Sequence, residues 1–218
     1  MVSVNTKMSS TQSEMSLKFL QNAANDAGAH DAVLIPVSDI IFEERIILKC
    51  KTGCPSYGRS LSCPPPVPDI AAFRRMINEY HHALLIRFKS TISPDTNIIH
   101  SLMKNRFDPG VSPELKERTQ QFEADLEEEN RRIHMIMLEM EKTAFQAGYP
   151  FALALTTDSC NLCKTCNVKG GICIHPSQMR YPLEAAGINV IETSRLAGIP
   201  IQFPCPVPPD RITLLLIS

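Results

Sequence analysis

Apolar residues at Leu115, Phe122, Leu126, Ile133, Met137, Met140 and Ala144 step by threes, fours and sevens, the signature of one long amphipathic helix. Ser112 is placed to cap it, Pro113 suits its first position, and Gly148 and Pro150 end it. Its acidic run, "EADLEEENRR", reads as the wet face, with charge pairs to the following arginines. A modest helix is expected in "SEMSLKFLQNAANDAGA", with Met15, Leu17, Leu20 and Ala24 on its apolar face and Gly28 at its end. Asp69 can cap a third helix with the face Ile70, Phe73, Met76, Ile77 and Tyr80, and "NVIETSRLAG" holds Asn189 and Glu192 at capping-box spacing. Four apolar runs, "AVLIPV", "ALLIRF", "PFALALTT" and "RITLLLIS", read as strands. "DIIFEERIILKC" is ambiguous: its polar spacing starts as helix, while the β-branched "IILKC" looks extended and delivers Cys50 into a loop. "STISPDTN" turns the chain away. Helices between strands give an α/β fold, an α+β sandwich with one sheet of about four or more strands packed with helices, the cysteine-rich loops carrying a metal site. Residues 1–13 are expected as a disordered leader and 14–218 as a single metal-binding domain.

Composition narrows the classes of function. The 218 residues are enough to bury a large core without disulfides. With 22 basic against 23 acidic residues, charge gives no reason to propose nucleic acid or an anionic membrane as partner. The N-terminus, "MVSVNTKMSSTQSEMS", lacks the apolar core of a secretory signal, so a cytoplasmic location is expected, and no apolar run is long enough to span a membrane. In a reducing compartment, clustered cysteines point to metal or catalysis rather than to bridges.

The chemistry sits in two cysteine groups. Cys160, Cys163 and Cys166 are spaced CxxCxxC, followed by Cys173 and His175. One CxxC suits zinc, a redox disulfide or an iron–sulfur cluster, but three thiolates from one tight turn favour the separate irons of a cubane. Cys173 is the natural fourth ligand. Gly170 and Gly171 between them permit positive φ, and Lys164 and Lys169 offset negative charge. Cys50, Cys54 and Cys63 form a second, less regular group. Proline follows Cys54, Cys63 and Cys205, so Cys205 is a candidate to complete this group; without it one iron would stay open to a small ligand. His175 reads first as a packing residue, and becomes a ligand in a three-cysteine, one-histidine zinc site. His81 and His82 read as junction residues. Arg59, Arg180 and Tyr57 lie near the loops and suit packing or hydrogen bonding there, or an anionic substrate. There is no phosphate loop, nucleophile elbow or HExxH motif.

"CPSYGRSLSCPPPVPDI", "HHALLIRF", "CNLCKTC" with the later "CIHP", and "LEAAGINV" together resemble the family of predicted metal-binding proteins called domain of unknown function 2284, found in anaerobic bacteria and archaea. The resemblance runs from about Ala32 to the C-terminus and implies metal binding by Cys50, Cys54, Cys63, Cys160, Cys163, Cys166 and Cys173. It implies no activity, and Cys205, though within that span, falls outside the motifs that carry the resemblance. The function expected is a cytoplasmic iron–sulfur protein with one or two 4Fe–4S clusters, serving electron transfer or acting as a reductive helper to a redox partner protein. The alternatives are a structural zinc module and an enzyme that binds substrate at an open cluster iron.

Overall fold

The computed structural model describes residues 10–103 and 110–218. The first nine residues of the expected leader lie outside them, and helix α1 (Ser10–Asp26) starts a turn earlier than its sequence pattern suggested. Leu17, Leu20 and Ala24 are buried on α1 as expected, whereas Met15 faces solvent.

Four strands, β1 (Asp31–Pro36), β2 (His82–Phe88), β3 (Leu153–Leu155) and β4 (Arg211–Ile217), form one antiparallel sheet in the order β1-β2-β4-β3. The register aligns Leu34, Leu84, Leu215 and Ala154 in one row and Val33, Leu85, Leu214 and Leu155 in the next. Side chains alternate across a strand, so the two rows face opposite sides. The first packs under α1 and the long helix α5 (Pro113–Gln146); the second meets Phe73, Ile77, Leu183 and Ile188. The central strands are therefore buried on both faces, which is why "ALLIRF" and "RITLLLIS" are apolar without alternation. Each fully buried leucine or isoleucine in these rows contributes roughly 1.5–3 kcal/mol of hydrophobic stabilisation.

Caps set the helix starts. The Ala72 N–H donates to Asp69 at 2.7 Å and opens α3 (Ile70–Ile77), Leu115 N–H donates to Ser112 Oγ at 3.2 Å and opens α5, and Glu192 N–H donates to Asn189 Oδ1 at 3.1 Å and opens α6 (Val190–Leu196). On α3, Phe73 and Ile77 are buried but Met76 is exposed. His82 begins β2, and the His81 backbone pairs with Val37 and Ile217, so both histidines sit at the junction expected.

Three local readings change. The ambiguous "IILKC" is helical, forming α2 (Ile46–Gly53), so Cys50 is presented from a helix and not from a loop. "STISPDTN" does turn the chain, but its Asp95 carboxylate accepts from Asn97 N–H and Ile98 N–H and starts a further helix, α4 (Thr96–Met103). The acidic run on α5 is not wet throughout: Glu129 is buried, accepts from Ser90 Oγ at 2.9 Å and Thr91 N–H at 3.0 Å, and faces Arg211 at 3.7 Å. Among the described residues, no helix is long and apolar enough to cross a membrane.

Candidate metal centre

The first cysteine group is built from the end of α2 and the loop after it. Cys50 lies on the helix, and Cys54 follows it in extended conformation. The loop then folds on itself: Tyr57 N–H donates to the Cys54 carbonyl, Gly58 N–H to Pro64, and Cys63 N–H to Ser60. Gly58 takes φ +69°, a conformation that glycine adopts without penalty. Cys63 is thereby buried, while Cys54 stays exposed. All three thiols line one cavity of 470 Å³, with Glu184, Tyr57 and Asn189 on its other walls. Glu184 was not singled out by sequence, since it lies in the apolar "PLEAAGINV" stretch, far along the chain from these cysteines.

The electrostatics show how close these groups are. Burial pushes the Cys63 thiol up to about 12, the Ser62 hydrogen bond opposes the rise, and charge on Cys54, Cys50 and Glu184 adds to it. Burial raises the Cys50 thiol too, followed by Cys54 and Glu184. Glu184 is exposed on the cavity side, yet the protein packed around its other sides raises its carboxyl pKa by desolvation; a hydrogen bond from its own backbone N–H opposes the rise and Asp158 adds to it. Three thiols and a carboxylate that repel one another when ionised are a set that a bound cation would relieve.

The second group hangs from the end of β3. Thr156 N–H donates to the Tyr181 carbonyl at 2.9 Å and Leu183 N–H to the Thr156 carbonyl at 3.0 Å, pinching together the two ends of the intervening loop. Asp158, at φ +52°, turns the chain into Cys160. Helix α5 braces the loop from the side. Arg131 Nε donates to the Asn161 carbonyl at 3.2 Å, His134 Nε2 lies 2.7 Å from the Gln178 carbonyl, and Glu141 takes a two-pronged hydrogen bond from Arg180 at 2.5 Å. Arg180, for which the sequence favoured packing or hydrogen bonding over an anionic substrate, is a structural brace held by Glu141.

Cys160, Cys163 and Cys166 line a second cavity, of 680 Å³, together with Arg59 and Lys164. Cys173 lies close enough that its charge raises both the Cys160 and Cys163 thiols; burial is the larger cause for each, and the Leu162 backbone N–H opposes it at Cys160. Cys160, Cys163 and Cys166 thus share one cavity, and Cys173, which does not line it, lies near enough to act on Cys160 and Cys163 by charge. Of the two glycines read as permitting positive φ, Gly171 takes it, at +67°, and Gly170 does not. The His175 carbonyl ends a turn by accepting from Gln178 and Met179 N–H.

The two loops touch. Ser56 Oγ donates to Ser159 Oγ at 2.9 Å, Cys160 N–H to Ser62 Oγ at 3.1 Å, and Leu61 N–H to Cys166 Sγ at 3.3 Å. The two cavities share Pro55, Ser56, Asp158 and Ser159 as a common wall. Cys205 is not part of this arrangement: it lines a separate cavity with His30, Arg87 and Asp210 on the β1 side of the sheet, so it does not complete the Cys50 group. Proline after cysteine, the feature that linked it to Cys54 and Cys63, describes local backbone stiffness and carries no information about distance.

All eight cysteines are free thiols. Among the described residues, no three His, Cys, Asp or Glu side chains converge tightly enough to hold a single ion; six of the cysteines line the two cavities instead, three in each. Soft thiolate donors arranged around a space, with a backbone N–H already aimed at one sulfur, suit a metal of the zinc or iron–sulfur class. The family profile described as predicted metal-binding protein (DUF2284) matches residues 33–217, a span that includes the whole sheet and both cysteine groups. No curated protein and no solved structure matches the chain.

Proposed function

Since the chain belongs to the DUF2284 family of predicted metal-binding proteins, we propose that it is an iron–sulfur protein with two adjoining 4Fe–4S centres. Cys160, Cys163, Cys166 and Cys173 would hold one, and Cys50, Cys54 and Cys63 the other. When bound, such clusters supply one-electron redox chemistry. The observation that carries the reading is the contact between the loops, through Ser56 to Ser159, Cys160 to Ser62 and Leu61 to Cys166. A shared wall between two thiol-lined cavities favours electron passage from one centre to the other and on to a redox partner protein.

The chain's own residues then have defined tasks. The Leu61 N–H stabilises thiolate on Cys166, which raises the reduction potential of whatever that sulfur binds. Arg59 and Lys164 line the second cavity, where their charge would offset a negative cluster. Tyr57 and the apolar wall of the first cavity limit water around Cys63. Electron paramagnetic resonance of the chemically reduced, anaerobically prepared protein tests the reading: two centres this near should give a spectrum broadened by magnetic interaction. A silent sample, or one with simple isolated-cluster signals, contradicts it.

A further inference from the structure

We propose that Glu184 is the fourth protein donor of the first centre, making it a site of three cysteines and one carboxylate; the inference rests on the reading that Cys50, Cys54 and Cys63 hold a metal. Glu184 lines the same cavity as the three thiols. Its place there is fixed by backbone. It opens a 3-10 turn, Glu184–Ala186, that Gly187 ends, and the chain beyond is tied to the segment leading into α2 by Glu43 N–H to the Gly187 carbonyl at 2.9 Å and Asn189 N–H to the Ile41 carbonyl at 2.7 Å. The helix that carries Cys50 and the turn that carries Glu184 are therefore held as one unit.

Two further observations select Glu184. Among the described residues no Lys, Arg or His forms an ion pair with it, although Lys49 lines the same cavity, and the Glu184 side chain is open to that cavity, where a bound metal can reach it. A metal held by the neighbouring thiols would attract this unbridged carboxylate and relieve its repulsion with ionised Cys50 and Cys63. Asp158, the other carboxylate on the cavity wall, is engaged: it accepts from Asn130 Nδ2 at 2.8 Å and lies 3.9 Å from Arg211. Cys205, the remaining thiol, is in another cavity. An oxygen donor on a soft, sulfur-bound iron is the most readily displaced of the four, so this iron would be the one at which the protein admits an outside ligand.

The test uses the full chain, prepared anaerobically and loaded with iron and sulfide, and follows iron release to a chromogenic chelator together with the electron paramagnetic resonance spectrum. A Cys63→Ser variant identifies the release phase that belongs to the first centre. Glu184→Ala is expected to speed that phase roughly tenfold or more and to alter the matching signals, leaving the other phase unchanged. Glu184→Cys is expected to restore slow release, an outcome that a purely structural role for the side chain would not give. Release and spectra in Glu184→Ala identical to the wild type overturn this inference alone. A wild type that loads no metal at the Cys50 group overturns both it and the reading beneath it.

Discussion

A single hydrogen atom at Gly187 positions the turn that presents Glu184. The residue has φ +77°, and an added Cβ would lie 2.6 Å from the Ile70 side chain at the start of α3. Both backbone strain and this clash oppose a side chain, so Gly187→Ala should cost about 2 kcal/mol, a melting temperature lowered by about 4–8 °C in a thermal scan. The thiols make a second residue-scale prediction. Cys63 is held protonated far above neutral pH by burial, so metal binding must displace that proton. Affinity of the first centre should therefore rise by about tenfold per pH unit for each proton released between pH 6 and 8, as measured by competition with a chelator. In the metal-free protein the raised Cys63 pKa acts the other way: the folded state retains the proton that the unfolded state loses, so stability is intact below about pH 9, the ordinary thiol range, and declines as pH rises toward 12. The cysteines announced themselves because ligand spacing is local. Glu184 did not, since only the tertiary pairing of the 182–189 segment with the approach to α2 brings it to them. Glu129 was hidden for a similar reason: in an acidic run every glutamate looks solvated until Arg211, from a distant strand, is placed beside one of them.

At the scale of elements, α5 acts as a strut. Its Glu141 holds Arg180 and also accepts from the Ala154 N–H at 2.6 Å, so one carboxylate ties the helix, strand β3 and the end of the cysteine loop. Both partners of the pair are mostly buried, with side chains 14% and 13% exposed. Glu141→Ala leaves a largely buried guanidinium without its partner and should destabilise the fold by about 3 kcal/mol, read by chemical denaturation, and loosen metal at the Cys160 group as well. His134, on the same helix, meets the Gln178 carbonyl, and burial lowers its pKa. A group whose folded pKa is depressed contributes stability above its unfolded value, near pH 6.5, that is lost as pH falls; protein with His134→Gln should lose less stability than the wild type between pH 7 and 5. Helix α5 was legible almost residue by residue, because its stripe is long and its caps are explicit. Helix α2 was not: Ile46 and Ile47 favour a strand by local preference, and packing against the Glu184 turn decides otherwise. Helix α4 was masked by turn residues, of which Asp95 proves to be its cap.

The molecule as a whole is a sheet covered on both faces, with two cysteine loops meeting beside it. The positions of all four strands follow from apolar runs in the sequence, since a sheet buried on both sides needs them, whereas the expected count was left open at four or more. Meeting of the loops does not follow from any pattern, because Ser56, Ser62 and Ser159 are ordinary loop residues until they hydrogen-bond across the gap. Membership of a family of predicted metal-binding proteins fits the chemistry of the thiols, and the shared wall of the cavities is what supports the proposal that the two centres exchange electrons. The measurement closest to this claim is iron, zinc and acid-labile sulfide per chain in protein purified without oxygen. About eight irons and eight sulfides are expected, two cubanes' worth. Zinc at one or two per chain, with neither iron nor sulfide, would contradict it and make the two loops a structural zinc module.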